Sequence, residues 1–370
     1  MGKKRIVRIV LTGGPAAGKT SLVSRILKEF KSEDGWKVIT IPETATELIS
    51  GFGLGPFPGC MSMEEFQYFV VADQLHKEQL ALKGAETVPE EKVMVVYDRA
   101  IFDDLAYVPI EQFKKILSYF GKTPEEIMAG YDAVLHLVSA ADGAEQYYTT
   151  ATNATRYEQA NEEGLQIARM LDKKIIKAWT GHPHLRVINN HDDFEAKLNR
   201  VLNEISKVVG LPQPPHDERV YRIEMTGEIP ECSESMITQT YLVAEPGSEV
   251  RLRRREWSGG KVVNVHRSKK RISDSEVIET ERQVDNNLYE QMLQQADPYR
   301  QTIRKRRQSF IWKGQFFQID TFLSPVSDLI MMETKGVAEQ ETVNFPPFIR
   351  VLEDVTGNRT YYNYNIALRK

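Results

Sequence analysis

The chain has 370 residues, 48 of them basic and 52 acidic, with 41% hydrophobic and 27% charged residues. At roughly 100–200 residues per domain this length holds two domains, each able to bury its own core, and the composition excludes collagen-like, coiled-coil and disordered classes. A formal net charge of −4 leaves no global field to draw the protein onto DNA. Cys60 and Cys232 match neither zinc nor CxxC spacing, which points to a reducing compartment. No apolar run approaches about 18 residues and no signal-peptide core follows Met1, so the expectation is a cytoplasmic protein with no transmembrane segment.

Ile6 to Leu11 reads as a buried strand and leads into Gly13-Gly14-Pro15-Ala16-Ala17-Gly18-Lys19-Thr20, followed by Ser21. This is G-x-x-x-x-G-K-T in full, set between a strand and an amphipathic helix carrying Leu22, Val23, Ile26, Leu27 and Phe30. In such a loop backbone N–H groups cradle phosphates, Lys19 neutralises β/γ charge and Thr20 ligates Mg²⁺. Trp36–Ile41 and Val93–Tyr97 read as further strands, ending at Glu43 and Asp98. Carboxyl ends of parallel strands line the ligand crevice, so Asp98 is the candidate metal-holding and catalytic carboxylate, although a strand-end carboxylate can instead cap the next helix. A fourth strand, Ala133–Val138, precedes a polar stretch and the segment opened by Arg156; this resembles the lid of small P-loop kinases, with Arg156 closing on the transferring phosphate. A fifth strand, Leu185–Ile188, ends at Asn189 and Asn190, where such folds contact the base.

Residues 211–216 contain Leu211-Pro212-Gln213-Pro214-Pro215, a stiff segment that suits a linker between domains at 1–210 and 217–370. Beyond it the periodicity changes to two. Nine segments read as strands: Tyr221–Thr226, Ile237–Ala244, Glu249–Glu256, Lys261–Arg267, Glu276–Val284, Gln301–Phe310, Phe316–Phe322, Leu329–Lys335 and Phe348–Asp354. One helix, Asn287–Ala296, interrupts what is expected to be an antiparallel barrel.

This region holds 23 basic and 23 acidic residues, yet between Arg251 and Arg271 nine basic residues face one acid, Glu256. Strand parity puts Arg251, Arg253 and Arg255 on one face, as it does Glu279 with Glu281, Lys305 with Arg307, Gln318 with Asp320, and Glu333 with Lys335. If those faces line the interior, cations and carboxylates converge on a site for a polyphosphate and its metal; the other reading is a solvated outer face with cross-strand ion pairs.

Over residues 5–209 the P-loop, Asp98-Arg99 and Arg156-Tyr157-Glu158 together resemble the nicotinamide riboside kinase-like P-loop family. Over 217–370, Gln239-Thr240-Tyr241-Leu242, Arg251-x-Arg253, Glu279-x-Glu281, Ile303-x-Lys305-x-Arg307, Phe316-x-x-x-Asp320-x-Phe322, Glu333, Asp354-Val355-Thr356 and Tyr362-Asn363 resemble the CYTH, or triphosphate tunnel, domain. The two in this order resemble the TRPL translocation defect protein family, described as GTP-binding and phosphoinositide-binding. The resemblance implies an α/β P-loop NTPase domain followed by an antiparallel β-tunnel, with GTP (or ATP) and Mg²⁺ at the P-loop. It also implies tunnel phosphate binding by Arg251, Arg253, Arg255, Lys269, Lys305 and Arg307, metal ligands among Glu224, Glu279, Glu281, Asp320 and Glu333, and possible peripheral membrane contact. The CYTH pattern E-x-E-x-K is incomplete, because Arg222-Ile223-Glu224-Met225-Thr226 keeps one acid and no lysine, and Met331-Met332-Glu333 has lost another acid. Fewer charged ligands weaken metal-assisted hydrolysis, so the expectation is a nucleotide-binding protein, a slow GTPase, whose tunnel binds an anionic phosphate ligand. A small-molecule kinase with a tunnel sensor and a tunnel triphosphatase are the alternatives.

Overall fold

In the computed structural model, residues 4–30, 35–148, 161–213, 218–273, 276–335 and 342–369 are described. They form two compact units, Met1–Leu202 and Asn203–Lys370.

The first unit is a parallel sheet wrapped by helices. In chain order it comprises β1 (Arg5–Thr12), α1 (Lys19–Glu29), β2 (Trp36–Ile41), α2 (Thr44–Phe52), α3 (Met63–Thr87), β3 (Lys92–Asp98), a 3₁₀ segment (Ile101–Ala106), α4 (Ile110–Tyr119), α5 (Pro124–Ala129), β4 (Ala133–Leu137), a short 3₁₀ turn (Glu145–Tyr147), α6 (Glu162–Trp179), β5 (Leu185–Ile188) and the first part of α7 (Phe194–Val209), which runs past the unit's end at Leu202. Strand order is β2-β3-β1-β4-β5. The P-loop strand β1 is thus central and pairs in parallel with β3 and β4, and Ile9, Val10, Leu11 and Val93–Val96 are completely buried, as expected of strands covered on both faces. The register sets Leu11 beside Asp98, which brings the P-loop and the end of β3 to one edge of the sheet. A Ser62–Glu65 capping box starts α3 and a Thr123–Glu126 box starts α5, satisfying amides that helix starts leave open.

The second unit is one antiparallel sheet built from β6 (Pro212–Gln213), β7 (Glu218–Met225), β8 (Ser233–Leu242), β9 (Ser248–Trp257), β10 (Val262–Arg271), β11 (Val277–Val284), β12 (Ile303–Trp312), β13 (Gln315–Ser324), β14 (Ile330–Lys335) and β15 (Ile349–Asp354). Its order is β15-β7-β14-β13-β12-β8-β9-β10-β11-β6. Two helices accompany it, α8 (Asn286–Leu293) and the short α9 (Asn363–Ile366). All nine strands read from periodicity are present, and β6 is an additional two-residue edge strand inside the Pro-rich segment.

The sheet curls into a trough. In a flat sheet β7 and β10, six strand spacings apart, would be separated by about 29 Å. Glu218 of β7 nevertheless acts electrostatically on Arg267 of β10 and on Arg307 of β12. Among the described residues the pairing runs from β15 to β6 without joining these two edges, so the expected barrel is a tunnel formed by curvature rather than by a closed ladder. One face of the sheet packs Tyr221, Ile223, Phe310, Phe317, Ile319 and Met332 together. The other carries an apolar plug of Tyr241, Ile303, Phe322, Met331 and Val355, and beyond it the charged groups.

Phe317 is fully buried and stacks on Phe310 with 5.6 Å between ring centroids. Phe317→Ala is expected to cost about 3–5 kcal/mol, read from denaturant unfolding of the full chain.

Candidate functional site

The P-loop depends on backbone that only small residues tolerate. Gly13 has φ 142°, and a Cβ there would stand 2.0 Å from the Leu137 carbonyl oxygen; at Gly18, φ 91°, a Cβ would meet the Phe194 ring at 2.6 Å. Gly14 donates its N–H to Asp172 Oδ1 at 2.6 Å, while the Pro15 carbonyl accepts from Ser139 Oγ. Ala16 adopts φ 55°. Lys197 Nζ of α7 donates to the Ala17 carbonyl at 3.1 Å, to that of Val138 at 2.7 Å and to Asn190 Oδ1 at 2.6 Å. The loop is therefore held on its outer side by β4, α6 and α7.

Lys19 is buried, its Nζ 3.5 Å from the Gly13 carbonyl. Burial and Arg99 push its pKa down, against the pull of Asp98, Glu43 and Asp103. Asp98 Oδ1 is buried with no hydrogen-bond partner, and burial raises its pKa against the attraction of Lys19. Thr20 and Ser21 are exposed at the start of α1. An orphaned carboxylate oxygen at a strand end, with a first-turn threonine on the P-loop helix, fits Mg²⁺; when bound, the ion would neutralise charge on the β- and γ-phosphates.

Beside Lys19 is a cavity of about 140 Å³ lined by Glu43, Gln67, Gln74, Arg99 and Asp104, with Phe66 and Tyr107 supplying apolar wall. Glu43 stands at the N-cap of α2 but makes no side-chain cap bond; it accepts from Arg99 Nε at 2.6 Å. Burial would raise Glu43, but Arg99 and Lys19 outweigh it and hold the carboxylate below its usual range. Arg99, in the left-handed region with φ 68°, also reaches Asp103 at 3.4 Å, and Asp103 accepts from Thr12 and from Trp179 Nε1 at 2.6 Å. Burial and Asp103 drive Asp104 well up.

The base-contact expectation for Asn189 meets a crowded loop. Asn190 donates to the Ser139 and Asp142 carbonyls, each at 2.7 Å, and Asn189 Oδ1 accepts from Arg200 at 3.1 Å. Arg156 lies outside the described residues.

In the second unit, register gathers the charges. Arg251 pairs with Arg267 and Tyr241, Arg253 with Gln239, and Arg255 with Ile237; Arg267 and Lys269 lie opposite Glu281 and Glu279; Arg307 lies opposite Asp320 and Ser235; Gln318 lies opposite Glu333. All occupy one face, the inner one. Asp320, 1% exposed, takes Lys305 and Arg307, each at 2.6 Å. Burial would raise it, but these cations hold it far below the usual carboxylate range. Glu279 pairs with Arg267 and, at 3.0 Å, with Lys269; Glu281 pairs with Arg253 at 3.1 Å and Arg267 at 3.9 Å; Glu333 meets Arg307 at 3.5 Å. Asn363, at the start of α9, accepts from Lys305 at 3.3 Å.

Glu224 does not join them. It is exposed and paired with Arg350 of the edge strand β15, because the β7–β15 register sets these two residues opposite each other. Met331 takes the position beside Asp320 and packs in the apolar plug. A divalent cation therefore does not fit the tunnel: its carboxylates already carry basic partners, and among the described residues no three metal-ligating side chains converge.

Together these features define a P-loop nucleotide-binding protein of α/β fold, joined to a large antiparallel sheet unit with a charged inner face. Residues 8–197 match the AAA domain family, a little over half of the chain, and the chain belongs to that family. No curated protein matches it in sequence. Among solved structures, the inorganic triphosphatase NE1496 is similar at 25% identity over 42% of this chain and 99% of its own, with a TM-score of 0.32. Deoxyadenosine kinase from M. mycoides with bound dCTP is similar at 13% identity over 55% of this chain and 100% of its own, with a TM-score of 0.35. Among the described residues no helix is long and apolar enough to cross a membrane.

Sequence reasoning missed Asp172 and Lys197. Both left a signal, since each is a charged residue on an apolar helical stripe: Asp172 shares a face with Ala168, Ile175 and Ile176, and Lys197 with Phe194 and Val201. Burial lowers Lys197 to about 7 from 10.5, with Asp172 opposing and Arg200 and Lys19 assisting. Between those values the unfolded chain carries a proton that the folded one lacks, so this group's contribution rises with pH across the window, by up to about 1.4 kcal/mol per unit. The stability difference between wild type and Lys197→Met, measured by thermal unfolding at the two ends of the window, is expected to shift toward the wild type at high pH; a constant difference would contradict the shift.

Proposed function

We propose that the protein binds GTP with Mg²⁺ at the P-loop, hydrolyses it slowly, and uses the inner face of its antiparallel sheet to bind an anionic phosphate ligand, a polyphosphate or phosphoinositide headgroup, in cytoplasmic trafficking or signalling. The observation that carries this reading is Lys19 buried beside Asp98, whose Oδ1 has no partner, at the mouth of a loop shaped for phosphate. Guanine is supported by the resemblance to the TRPL translocation defect protein family. Slow turnover is supported by Glu43, which shares the cavity with Lys19 but is tied to Arg99 and so is poorly free to activate water. Phosphate binding at the sheet is supported by Arg251, Arg253, Arg255, Lys269, Lys305 and Arg307 sharing one face.

A second reading is favoured by the cavity itself. Glu43, Gln67, Gln74 and Arg99 offer hydrogen bonds to a hydroxyl-bearing molecule next to the P-loop lysine, the arrangement a small-molecule kinase needs to bring an acceptor to a γ-phosphate.

The two are separated by identifying the nucleotide that copurifies and by measuring its turnover. Guanine nucleotide, turnover indifferent to added nucleosides, and a loss of about 10–100-fold in affinity in Lys19→Ala are expected, from removal of a charge-assisted contact. Adenine nucleotide with acceptor-dependent turnover would favour the kinase. Phosphate release from tripolyphosphate that survives Lys19→Ala would place activity in the sheet unit, and absence of nucleotide binding would end both P-loop readings.

A further inference from the structure

Resting on the reading of the inner sheet face as a phosphate site, we infer that this face takes its ligand, a molecule bearing two or more clustered phosphate groups, directly on its guanidinium and ammonium groups, without a divalent cation. The first ground is the state of the carboxylates. Glu279, Glu281, Asp320 and Glu333 each contact one or two basic side chains, and Glu224, the remaining expected metal ligand, is outside the cluster. A metal entering the cluster would compete with Arg or Lys for each of them.

The second ground is an excess of positive charge at one place on that face. Arg255 is 3% exposed. Its Nε donates to Ser235 Oγ at 2.8 Å, its guanidinium lies 4.5 Å from the Trp257 ring centroid, and its second terminal nitrogen, Nη2, is buried with no hydrogen-bond partner. Burial, then Arg307 and Arg253, act against its charge, with Asp320 and Glu281 opposing more weakly. Arg253, too, is lowered to about 10 by burial, with Arg251, Arg307 and Arg267 adding repulsion against the pull of Glu281. A buried guanidinium with an orphaned donor and cationic neighbours is short of an anion. Phosphate oxygens supply it, and planar guanidinium forks match them in pairs. Arriving phosphates exchange with Glu281, Asp320 and Glu333 for cations that already face inward, so the ligand meets a ready set of donors.

The test is calorimetric titration of the full chain carrying Lys19→Ala, which removes the P-loop contribution, with inorganic tripolyphosphate in EDTA and again in Mg²⁺ or Mn²⁺. Binding in EDTA, changed less than about threefold by either metal and weakened about tenfold or more by Arg255→Gln, is expected. Arg255→Gln should also unfold at a higher temperature than its parent without ligand, because an uncompensated buried charge has gone; this separates a lost site from a lost fold. Arg255→Lys should restore part of the affinity. Phosphatidylcholine vesicles carrying a phosphoinositide, pelleted with protein in EDTA, identify the source: pelleting assigns a lipid headgroup, and tripolyphosphate binding without pelleting assigns a free polyphosphate, both supporting the inference. Binding that needs Mg²⁺ or Mn²⁺ overturns the inference while leaving the phosphate reading intact, and no binding under either condition overturns both.

Discussion

A cation taken out of water costs several kcal/mol unless a counter-charge and hydrogen bonds come with it, and both units are organised by that constraint. In the first, Arg99 is held by Glu43 and Asp103, and Asp103 is in turn anchored by Thr12 and Trp179. That chain ties the ends of β1 and β3, the 3₁₀ segment and α6 around the cavity. Lys19 lacks such a clamp. It shares its surroundings with Arg99, which repels it, and with Asp98, which keeps one oxygen unbonded. The imbalance lies where a nucleotide's phosphates and a metal would restore charge balance, whereas Gly14, Pro15 and Ala17 are bonded to Asp172, Ser139 and Lys197 on the far side of the loop.

In the sheet unit the same constraint is met by register. Antiparallel pairing places residues of matching parity side by side, so one choice of register puts Arg251, Arg253, Arg255, Arg267, Lys305 and Arg307 together with Glu279, Glu281 and Asp320. A one-residue slip of any strand would send its charges to the apolar face formed by Phe317, Ile319 and Met332. The ion pairs and the apolar cluster thus enforce the same register from opposite sides.

How much of this could be read in advance follows from what carries information locally. The P-loop was legible because its chemistry sits in eight consecutive residues between a strand and a helix. The sheet strands were legible because period two survives even when one face is charged. Helices α2 and α3 were not. The buried positions of α3 are Phe66, Gln67, Val70, Val71, Gln74, Glu78 and Ala85, and the mixture of polar and apolar groups blurs the stripe on which a helix is normally recognised. Those polar residues are buried because they face the cavity and the Arg8–Glu78–Tyr131 cluster, a reason that exists only in three dimensions. Arg99 was legible only as part of the Asp98-Arg99 strand end, and its role was not, for the same cause: its partners Glu43 and Asp103 come from separate elements.

Glu224 shows the limit of parity. Parity places it on the same side of β7 as Glu218, and Glu218 acts electrostatically on Arg267 and Arg307. Six residues further along the strand, at a rise of about 3.3 Å each, the same side is some 20 Å away, beyond the polar zone and opposite Arg350 of an edge strand. A face is a line of positions, and only the stretch where the curled sheet brings other strands near is a site. The lysine that the tunnel-domain resemblance implies at Thr226 and the acid that it implies at Met331 are absent within this same geometry. Thr226 lies past the end of β7, and Met331 extends the apolar plug up to Asp320. With no carboxylate at Met331 to share Arg307, Asp320 keeps both Lys305 and Arg307 as partners, which leaves Arg255 as the cation most in need of an anion from outside.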